Sequence, residues 1–477
     1  MRPVRVGSSI LASAALLASV AVGQRGGDPS PSLHYTVWLN DTVEHMTVQA
    51  CFDDGLPSRL GPGVDAASVA LEGAWVNRRR ARVVGGRIVL DGYDARCMRY
   101  RVDLEAARRS SRFGGRFGTD LVSSQGTWLW RDRSAPPRGG ATLRFVMPDG
   151  VHDAAPWPVV NDRYVLEESA FRRPGFIAIG RFTPIAVEAH GVRARVVRLG
   201  EGWALDDAET ERWLNDAIEG VSLVQGRFPV DEMVVLLVPR PGRGLGFGMV
   251  RRGGGFSVAF QVGTDSSVED IERDWVAWHE LSHLHLPALP SRDAWMYEGL
   301  ATYYQEIVPT RLGIQTPERA WDALSDGFSR GARQARTRSA SGPPRPTVTL
   351  ADASRTMMQT YGFTRVYWAG TAFMLEADVA LRERDSSLDA AIAGAAPAWR
   401  HDLSEWTSER VTAAMDRTLS DRVLRPLRDR YASSVGFPRT PQLLRRLGVS
   451  RPGGRITLSP AERSAVRDAI MQRRTSP

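Results

Sequence analysis

The chain has 477 residues, which is too long for one compact core and predicts two to four domains. Its 43% hydrophobic and 24% charged residues are typical of a globular protein, and the lack of an apolar run of about 18 residues beyond the N-terminus argues against a polytopic membrane protein. The formal charge of +8 is the excess of 62 basic residues over 54 acidic ones; the basic residues are all arginines and are scattered along the chain. Because no recognition motif accompanies this charge, a nucleic-acid binder is disfavoured and no nucleic-acid partner is expected.

The segment 1–23 has the layout of a secretory signal peptide. Arg2 and Arg5 precede a short apolar stretch, Ile10–Val22, and small residues end it at a cleavage site before Gln24. An uncleaved anchor helix is the alternative, although the stretch is short for spanning a membrane. We therefore expect an exported protein, periplasmic or extracellular, with no transmembrane domain after signal cleavage.

A β-rich domain is predicted over 24–158. Segments 34–39 and 46–52 alternate between apolar and polar residues and are rich in β-branched side chains, and Gly and Asp clusters separate such runs. The two cysteines of the chain, Cys51 and Cys97, both lie in this part. A disulfide between them fits an oxidising compartment, and two buried free thiols are the alternative.

The pattern changes after about residue 159. A helix is predicted over 208–225, a buried strand over 232–238 and a glycine-led edge strand over 253–260. Residues 329–347 are rich in Arg, Ser and Pro and predict a loop, after which the chain is largely helical.

A metal site is indicated by the sequence WHELSH. His279 and His283 are four residues apart on a helix predicted over 271–286, so both imidazoles leave the same helix face. Glu280 is placed to take a proton from a metal-bound water, and Glu298 on the next helix is the predicted third ligand. Two histidines and a carboxylate that leave the fourth position to water are typical of a catalytic zinc site.

The neighbours of this motif complete the local prediction. Ser266 and Glu269 form a capping box that starts the first helix, and Asp293 is expected to cap the second. Gly299 allows that second helix to pack closely beside the third ligand. His285 lies off the face of the two ligands and is interpreted as non-catalytic.

The two motifs, residues 278–283 and WMYEGLATYY at 295–304, resemble the gluzincin metallopeptidases and among them the glycyl aminopeptidase family. Residues 367–382 are similar to a downstream helix of that family. The resemblance implies a thermolysin-like catalytic domain, one zinc ion per chain and a peptide or protein substrate. It also implies that Tyr367 donates a hydrogen bond to the oxyanion of the reaction, with Tyr361 as the reserve candidate.

The sequence departs from that family in several places. The spacing from His283 to Glu298 is shorter, Ala369 stands where the family has lysine, and no PDZ module follows. In related aminopeptidases a Gly-rich strand binds the substrate backbone and can carry a glutamate for its α-amine. The residues at that place are predicted to bind substrate but include no acid; they are Gly253, Gly254 and Gly255.

These patterns predict an α+β multidomain protein: a signal peptide at 1–23, a β-sandwich-like domain at 24–158, a thermolysin-like zinc peptidase domain at 159–385 and a helical domain at 386–477. The favoured function is an exported zinc metallopeptidase that is aminopeptidase-like. The alternative is a catalytically inactive binding or scaffold protein on a peptidase fold. The sequence leaves the oligomeric state open.

Overall fold

The computed structural model describes residues 31–110, 114–134, 137–336 and 348–474. The predicted signal peptide and most of the predicted Arg/Ser/Pro loop lie outside these ranges. Within them, no helix combines the length and the apolar character needed to cross a membrane. The described residues form a mixed α+β structure with several sheets and a helical C-terminal part.

The N-terminal part is built from short strands and one helix, α1, at Leu104–Arg109. Its strands are β1 Leu33–Leu39, β2 His45–Phe52, β3 Arg59–Leu60, β4 Leu71–Val76, β5 Arg79–Arg80, β6 Arg82–Val84, β7 Arg87–Val89, β8 Cys97–Asp103, β9 Gly115–Phe117, β10 Asp120–Ser123, β11 Ala141–Val146, β12 His152–Ala154, β13 Val159–Val160, β14 Arg163–Leu166 and β15 Ile177–Gly180. They form an eight-stranded sheet (β13-β14-β11-β1-β2-β8-β4-β5), a four-stranded sheet (β12-β15-β10-β9) and a three-stranded sheet (β3-β7-β6).

Alternating burial explains why these segments are strands. In β1 every second side chain is buried, from Leu33 to Leu39, and these residues face one apolar core with Trp128 and Trp130. Strands β13, β14 and β15 belong to the same sheets, so the β-rich part continues to Gly180. The predicted boundary at 158 is therefore too early, because the Pro-rich segment before it connects β12 of the four-stranded sheet to β13 of the eight-stranded sheet.

Cys51 and Cys97 are direct partners in the antiparallel pair of β2 and β8, and their sulfurs are bonded in the structure. Because directly opposite side chains on such strands lie close together, we expect the bond in protein purified from an oxidising compartment. Intact mass after alkylation, with and without prior reduction, measures it. Two alkylated thiols in unreduced, denatured protein would rule out the bridge.

The central part contains a five-stranded sheet in the order β16-β17-β18-β20-β19. Its strands are β16 Ile185–Ala189, β17 Val192–Arg198, β18 Glu232–Arg240, β19 Leu245–Arg251 and β20 Ser257–Gly263. The predicted strand at 253–260 corresponds to β20, which is not an edge strand but lies between β18 and β19. The edge strand on this side of the sheet is β19, and the edge strand on the other side is β16.

Helices pack on one face of this sheet, the β-rich part packs on the other, and helices make up most of the remaining chain. They are α2 Asp207–Ser222, α3 Val268–Glu272, α4 Trp275–Ser282, α5 Ala294–Leu312, α6 Pro317–Arg336, α7 Leu350–Arg355, α8 Met357–Thr360, α9 Phe363–Arg382, α10 Leu388–Ala395, α11 Ser408–Asp416, α12 Leu424–Ala432, α13 Thr440–Arg446 and α14 Ser464–Met471. A small sheet joins β21 Val449–Ser450 to β22 Thr457–Leu458. The loop predicted from residue 329 starts too early, since 329–336 continue α6, where Gly331 and Ala335 are buried.

Candidate metal centre and active site

The two histidines lie on one helical segment, with His279 in α4 and His283 at the start of the 3-10 turn that follows it, His283–His285. The predicted single helix over 271–286 is interrupted, because Asp274 caps a new helix, α4, through the backbone N–H of Val276. The other oxygen of Asp274 accepts a hydrogen bond from Leu245 N, which ties the start of α4 to the edge strand. The capping box of the preceding helix α3 consists of Ser267 and Asp270, one residue later than predicted from Ser266 and Glu269.

Helix α5 brings the third residue of the site. Glu298 lies in its second turn, and Gly299 follows at the contact between α5 and α9. A Cβ on Gly299 would stand 2.3 Å from the backbone of Gly370, so this crossing requires glycine on both helices. The side chain of Asp293 does not cap α5 as predicted. Its carboxylate instead accepts hydrogen bonds from the backbone N–H and the hydroxyl of Ser408, the first residue of α11.

Three side chains converge in the pocket between these helices. The Nε2 atoms of His279 and His283 lie 3.4 and 3.5 Å from Oε2 of Glu298, and the three donor atoms are all within 4.8 Å of one another. Zinc–donor bonds of about 2.0–2.2 Å in a tetrahedral site separate the donors by about 3.4 Å. The three donors, two imidazole nitrogens and one carboxylate oxygen, therefore fit a zinc ion.

The pKa values of the two imidazoles are shifted in opposite directions. Burial lowers the pKa of His283 to about 3, so this ring is neutral near pH 7. For His279, burial alone would lower the pKa, but the hydrogen bond to Glu298 and the nearby carboxylates raise it. A metal ion that binds here displaces this proton, because histidine ligates as the neutral ring.

His279 is oriented by a chain of buried amide and carboxyl groups. Its Nδ1 lies 2.9 Å from Oε1 of Gln305, and the amide nitrogen of Gln305 donates to Glu306 Oε1 at 2.9 Å. With the amide oxygen as acceptor, Nδ1 of His279 carries a proton, so Nε2, the nitrogen that faces Glu298, is the one that can bind a metal. Gln305 thus fixes the tautomer that a metal ligand needs.

Replacing Gln305 by Leu is expected to weaken zinc binding about 10- to 100-fold, since it removes the acceptor that orients His279. Competition with a chromogenic chelator measures the affinity. Gln334→Leu is the control, because Gln334 donates to the backbone carbonyl of Tyr361 and accepts from the backbone N–H of Arg365. Equal zinc affinity of the two variants would show that Gln305 does not orient the ligand.

His283 is held in a different way. Arg252, which is buried, donates to the backbone carbonyls of His283 and Leu286 at 2.9 and 2.6 Å and to the Tyr297 hydroxyl. The ring of Tyr297 is stacked on the ring of His283, with centroids 4.1 Å apart. A guanidinium at these carbonyls also satisfies the C-terminal groups of the helical segment.

Glu280 lies beside the ligands and against the edge strand. Its carboxylate accepts a hydrogen bond from the backbone N–H of Val250, and a Cβ on Gly248 would stand 2.4 Å from its side chain. Burial raises the pKa of Glu280 to about 7. The charge of His279 lowers this pKa, and the carboxylate of Glu298 raises it. A carboxyl group with a pKa near neutrality is suited to both accepting and returning a proton.

Tyr367 reaches the same pocket from α9. Its hydroxyl donates a hydrogen bond to Glu298, and its ring is stacked on His279 with centroids 6.0 Å apart. Burial and the carboxylate of Glu298 raise the pKa of Tyr367, so the phenol stays protonated as a donor. The reserve candidate, Tyr361, is 76% exposed and is separated from Tyr367 by the ring of Phe363.

Two further predictions concern residues outside this cluster. The ring of His285 is buried against Tyr304, and its Nδ1 lies 2.8 Å from the Gln225 amide. The glycines predicted to bind substrate are buried at the contact with the β-rich part, where a Cβ would strike Gly175, Trp157 or Pro156; they are Gly253, Gly254 and Gly255. The lack of side chains at these glycines allows the central part to pack against the β-rich part. The strand that lies next to Glu280 is β19.

Comparisons with known proteins show a similarity in fold. No protein-family model matches the chain, and a search of curated proteins also finds no match. Among solved structures, an aminopeptidase N family protein from Idiomarina loihiensis is similar with a TM-score of 0.64 at 15% identity, over 87% of this chain and 78% of that one. An M1 zinc metallopeptidase from Deinococcus radiodurans (TM-score 0.48, 18% identity, 85% and 96% covered) and yeast LTA4 hydrolase (TM-score 0.49, 12% identity, 86% and 69% covered) also match. The chain has an α+β multidomain fold similar to that of the aminopeptidase N family protein.

Proposed function

We propose that this protein is a zinc-dependent metallopeptidase that hydrolyses peptide bonds. The observation that carries the proposal is the buried cluster of His279, His283 and Glu298 with Glu280 and Tyr367 at its side. The similarity in fold to an aminopeptidase N family protein supports a peptidase but leaves the roles of these residues to be tested.

The metal would be held by the two histidines and Glu298. When bound, zinc acts as a Lewis acid that polarises a carbonyl group and lowers the pKa of water. Glu280 accepts the proton of the attacking water and returns it to the leaving amine, a role for which its place beside the clustered donors suits it. Tyr367 donates a hydrogen bond to the negative charge that develops on the carbonyl oxygen.

The edge strand β19 is the proposed place of the peptide backbone. It runs beside Glu280, and its outer edge can pair with an extended substrate. The strand contains no acidic residue that could hold a free α-amine; its sequence is LGFGMVR. We therefore propose peptide-bond hydrolysis in general and do not assign the activity to free N-termini.

Export is part of the proposal. It is supported by the basic and apolar pattern of residues 1–23 and by the pair of Cys51 and Cys97. N-terminal sequencing of protein recovered from outside the cytoplasm should begin at Gln24. An N-terminus at Met1 in all recovered protein would contradict cleavage.

The activity is tested with purified protein on two substrate types, aminoacyl reporters with a free amine and internally quenched peptides with blocked ends. We expect hydrolysis that a zinc chelator abolishes and that added zinc restores. A protein with one zinc per chain that hydrolyses neither type would instead support the inactive binding or scaffold protein.

A further inference from the structure

The net charge of the chain is concentrated near its C-terminus. Residues 417–477 contain 14 arginines and 4 acidic residues, whereas residues 1–416 contain 48 arginines and 50 acidic residues. The C-terminal segment alone therefore carries more than the whole formal charge of +8. Because a local excess of one sign attracts groups of the other sign, this segment favours an anionic partner.

A groove runs along this segment, apart from the metal centre. It has a volume of about 930 Å³, with residues 325–336 of α6 on one side and residues 436–451, which include α13, on the other. The three metal donors, Glu280 and Tyr367 are not among the described residues that line it. A space of this size accommodates several side chains of a ligand.

The interior of the groove is apolar and partly open to solvent. Phe437, Pro438 and Leu444 are half-buried, and Pro441 is exposed. Phe328 is buried in the opposite wall, on α6. Apolar surface that is left in contact with water in a concave place gains free energy when a partner covers it.

Arginines line the same groove. Arg333, Arg336 and Arg445 are exposed there and form no ion pair with another described residue. Arg451 also lines the groove, but Asp322 lies 3.0 Å from it and offsets its charge. Among the described residues that line the groove, none is acidic.

The ends of the two helices do not cancel this charge. Arg333 and Arg336 lie in the last turn of α6 and Arg445 lies in the last turn of α13, where cations are favoured by the partial negative charge of the helix end. That partial charge is about half an elementary charge at each end, so about one negative charge opposes three guanidinium groups. The groove therefore keeps a positive excess that a partner bearing carboxylates would neutralise.

We propose that this basic groove binds an extended acidic segment of a partner polypeptide, whose apolar side chains fill the interior. Its carboxylates would pair with the guanidinium groups of Arg333, Arg336 and Arg445, which suit bidentate recognition of carboxylates. A concave groove with an apolar interior fits a single chain, whereas the surface of a lipid bilayer is too flat to enter it. The site is separate from the metal donors, and the proposal does not depend on peptidase activity.

The test measures binding of a labelled peptide of alternating Glu and Leu residues to the purified protein by fluorescence anisotropy. Two comparison peptides replace every Glu by Gln or every Leu by Ser. Each replacement should weaken binding about tenfold or more, because the groove offers both cationic and apolar contacts. Equal affinity for the Gln peptide would overturn the acidic partner, and equal affinity for the Ser peptide would overturn the groove as its site.

Charge reversal on each wall locates the site. Arg333→Glu and Arg445→Glu should each weaken binding of the Glu–Leu peptide about tenfold or more, because each places a like charge beside the carboxylates. Arg82→Glu is the matched control, since Arg82 is exposed in β6 and its replacement changes the net charge by the same amount. An equal loss in Arg82→Glu would show that net charge alone attracts the peptide and would overturn the groove.

Vesicles of phosphatidylglycerol test the competing partner, an anionic lipid surface. If the protein binds these vesicles through Arg333 and Arg445 but does not bind the Glu–Leu peptide, the proposal is overturned in favour of a membrane contact. Mass spectrometry of the recovered peptide shows whether it stays intact, which distinguishes weak binding from hydrolysis. Binding that is lost in the two groove variants and kept in Arg82→Glu supports the proposal whether or not the protein hydrolyses peptides.

Discussion

Glu280→Gln is expected to lose nearly all peptide hydrolysis, with a loss of kcat of about 10²- to 10⁴-fold. The amide has the size of the carboxylate but cannot accept the proton of the attacking water. Glu280 lies beside the clustered donors, and a hydrogen bond from the N–H of Val250 holds its carboxylate in position for the proposed proton transfer. Steady-state kinetics on a cleaved peptide measure the effect.

Two controls define this result. Zinc content and melting temperature of the variant should match the wild type, because Glu280 is not one of the three clustered donors. Glu318→Gln, an exposed change at the start of α6, should leave kcat within a few-fold. Activity of Glu280→Gln near that of Glu318→Gln would remove Glu280 as the base.

Tyr367→Phe is expected to lower kcat and kcat/KM together by about 10²- to 10³-fold, or ~3–4 kcal/mol. The change keeps the ring that stacks on His279 and removes only the hydroxyl that reaches Glu298. A hydrogen bond made chiefly in the transition state affects the rate and not KM. Kinetics with zinc content measured in parallel separate this effect from loss of metal.

Tyr361→Phe is the matched control for Tyr367→Phe. Its side chain is exposed, so loss of the hydroxyl should change kcat by no more than a few-fold. If Tyr361→Phe is the impaired variant, the oxyanion donor has been assigned to the wrong tyrosine. If neither variant is impaired, the hydroxyl of Tyr367 has a packing role.

The clustering of His279, His283 and Glu298 was predictable because local geometry brings these side chains together. A spacing of four on a helix puts His279 and His283 on one face, and the structure places Glu298 within 3.5 Å of both. The helix itself was predicted as too long, because Asp274 had no recognised role as a cap. Its partner, Leu245 N, lies on another strand, and such a contact leaves no periodic pattern in the sequence.

The edge strand was predicted incorrectly for a topological reason. Both β19 and β20 have strand-like sequences, and the glycines before β20 suggested an edge. Which of the two lies outermost depends on the pairing of β20 with β18, a contact between distant segments. The glycines are explained by packing against Gly175 and Pro156, which sequence spacing does not reveal.

The groups that orient the ligands were also missed. Gln305 could have been suspected, since it lies seven residues, about two helical turns, after Glu298 on the same face. Arg252 gives no such signal, because it reaches His283 and Tyr297 from a loop after the edge strand. Long-range contacts of this kind appear only with the tertiary structure.

Metal analysis of the purified protein tests the central claim most directly. The account predicts one zinc ion per wild-type chain, retained in Glu280→Gln and lost in His283→Ala, because His283 Nε2 is one of three clustered donors. Elemental analysis after dialysis against metal-free buffer gives the stoichiometry of all three proteins. Equal zinc in His283→Ala and wild type would contradict the ligand assignment and, with it, the proposed metallopeptidase site.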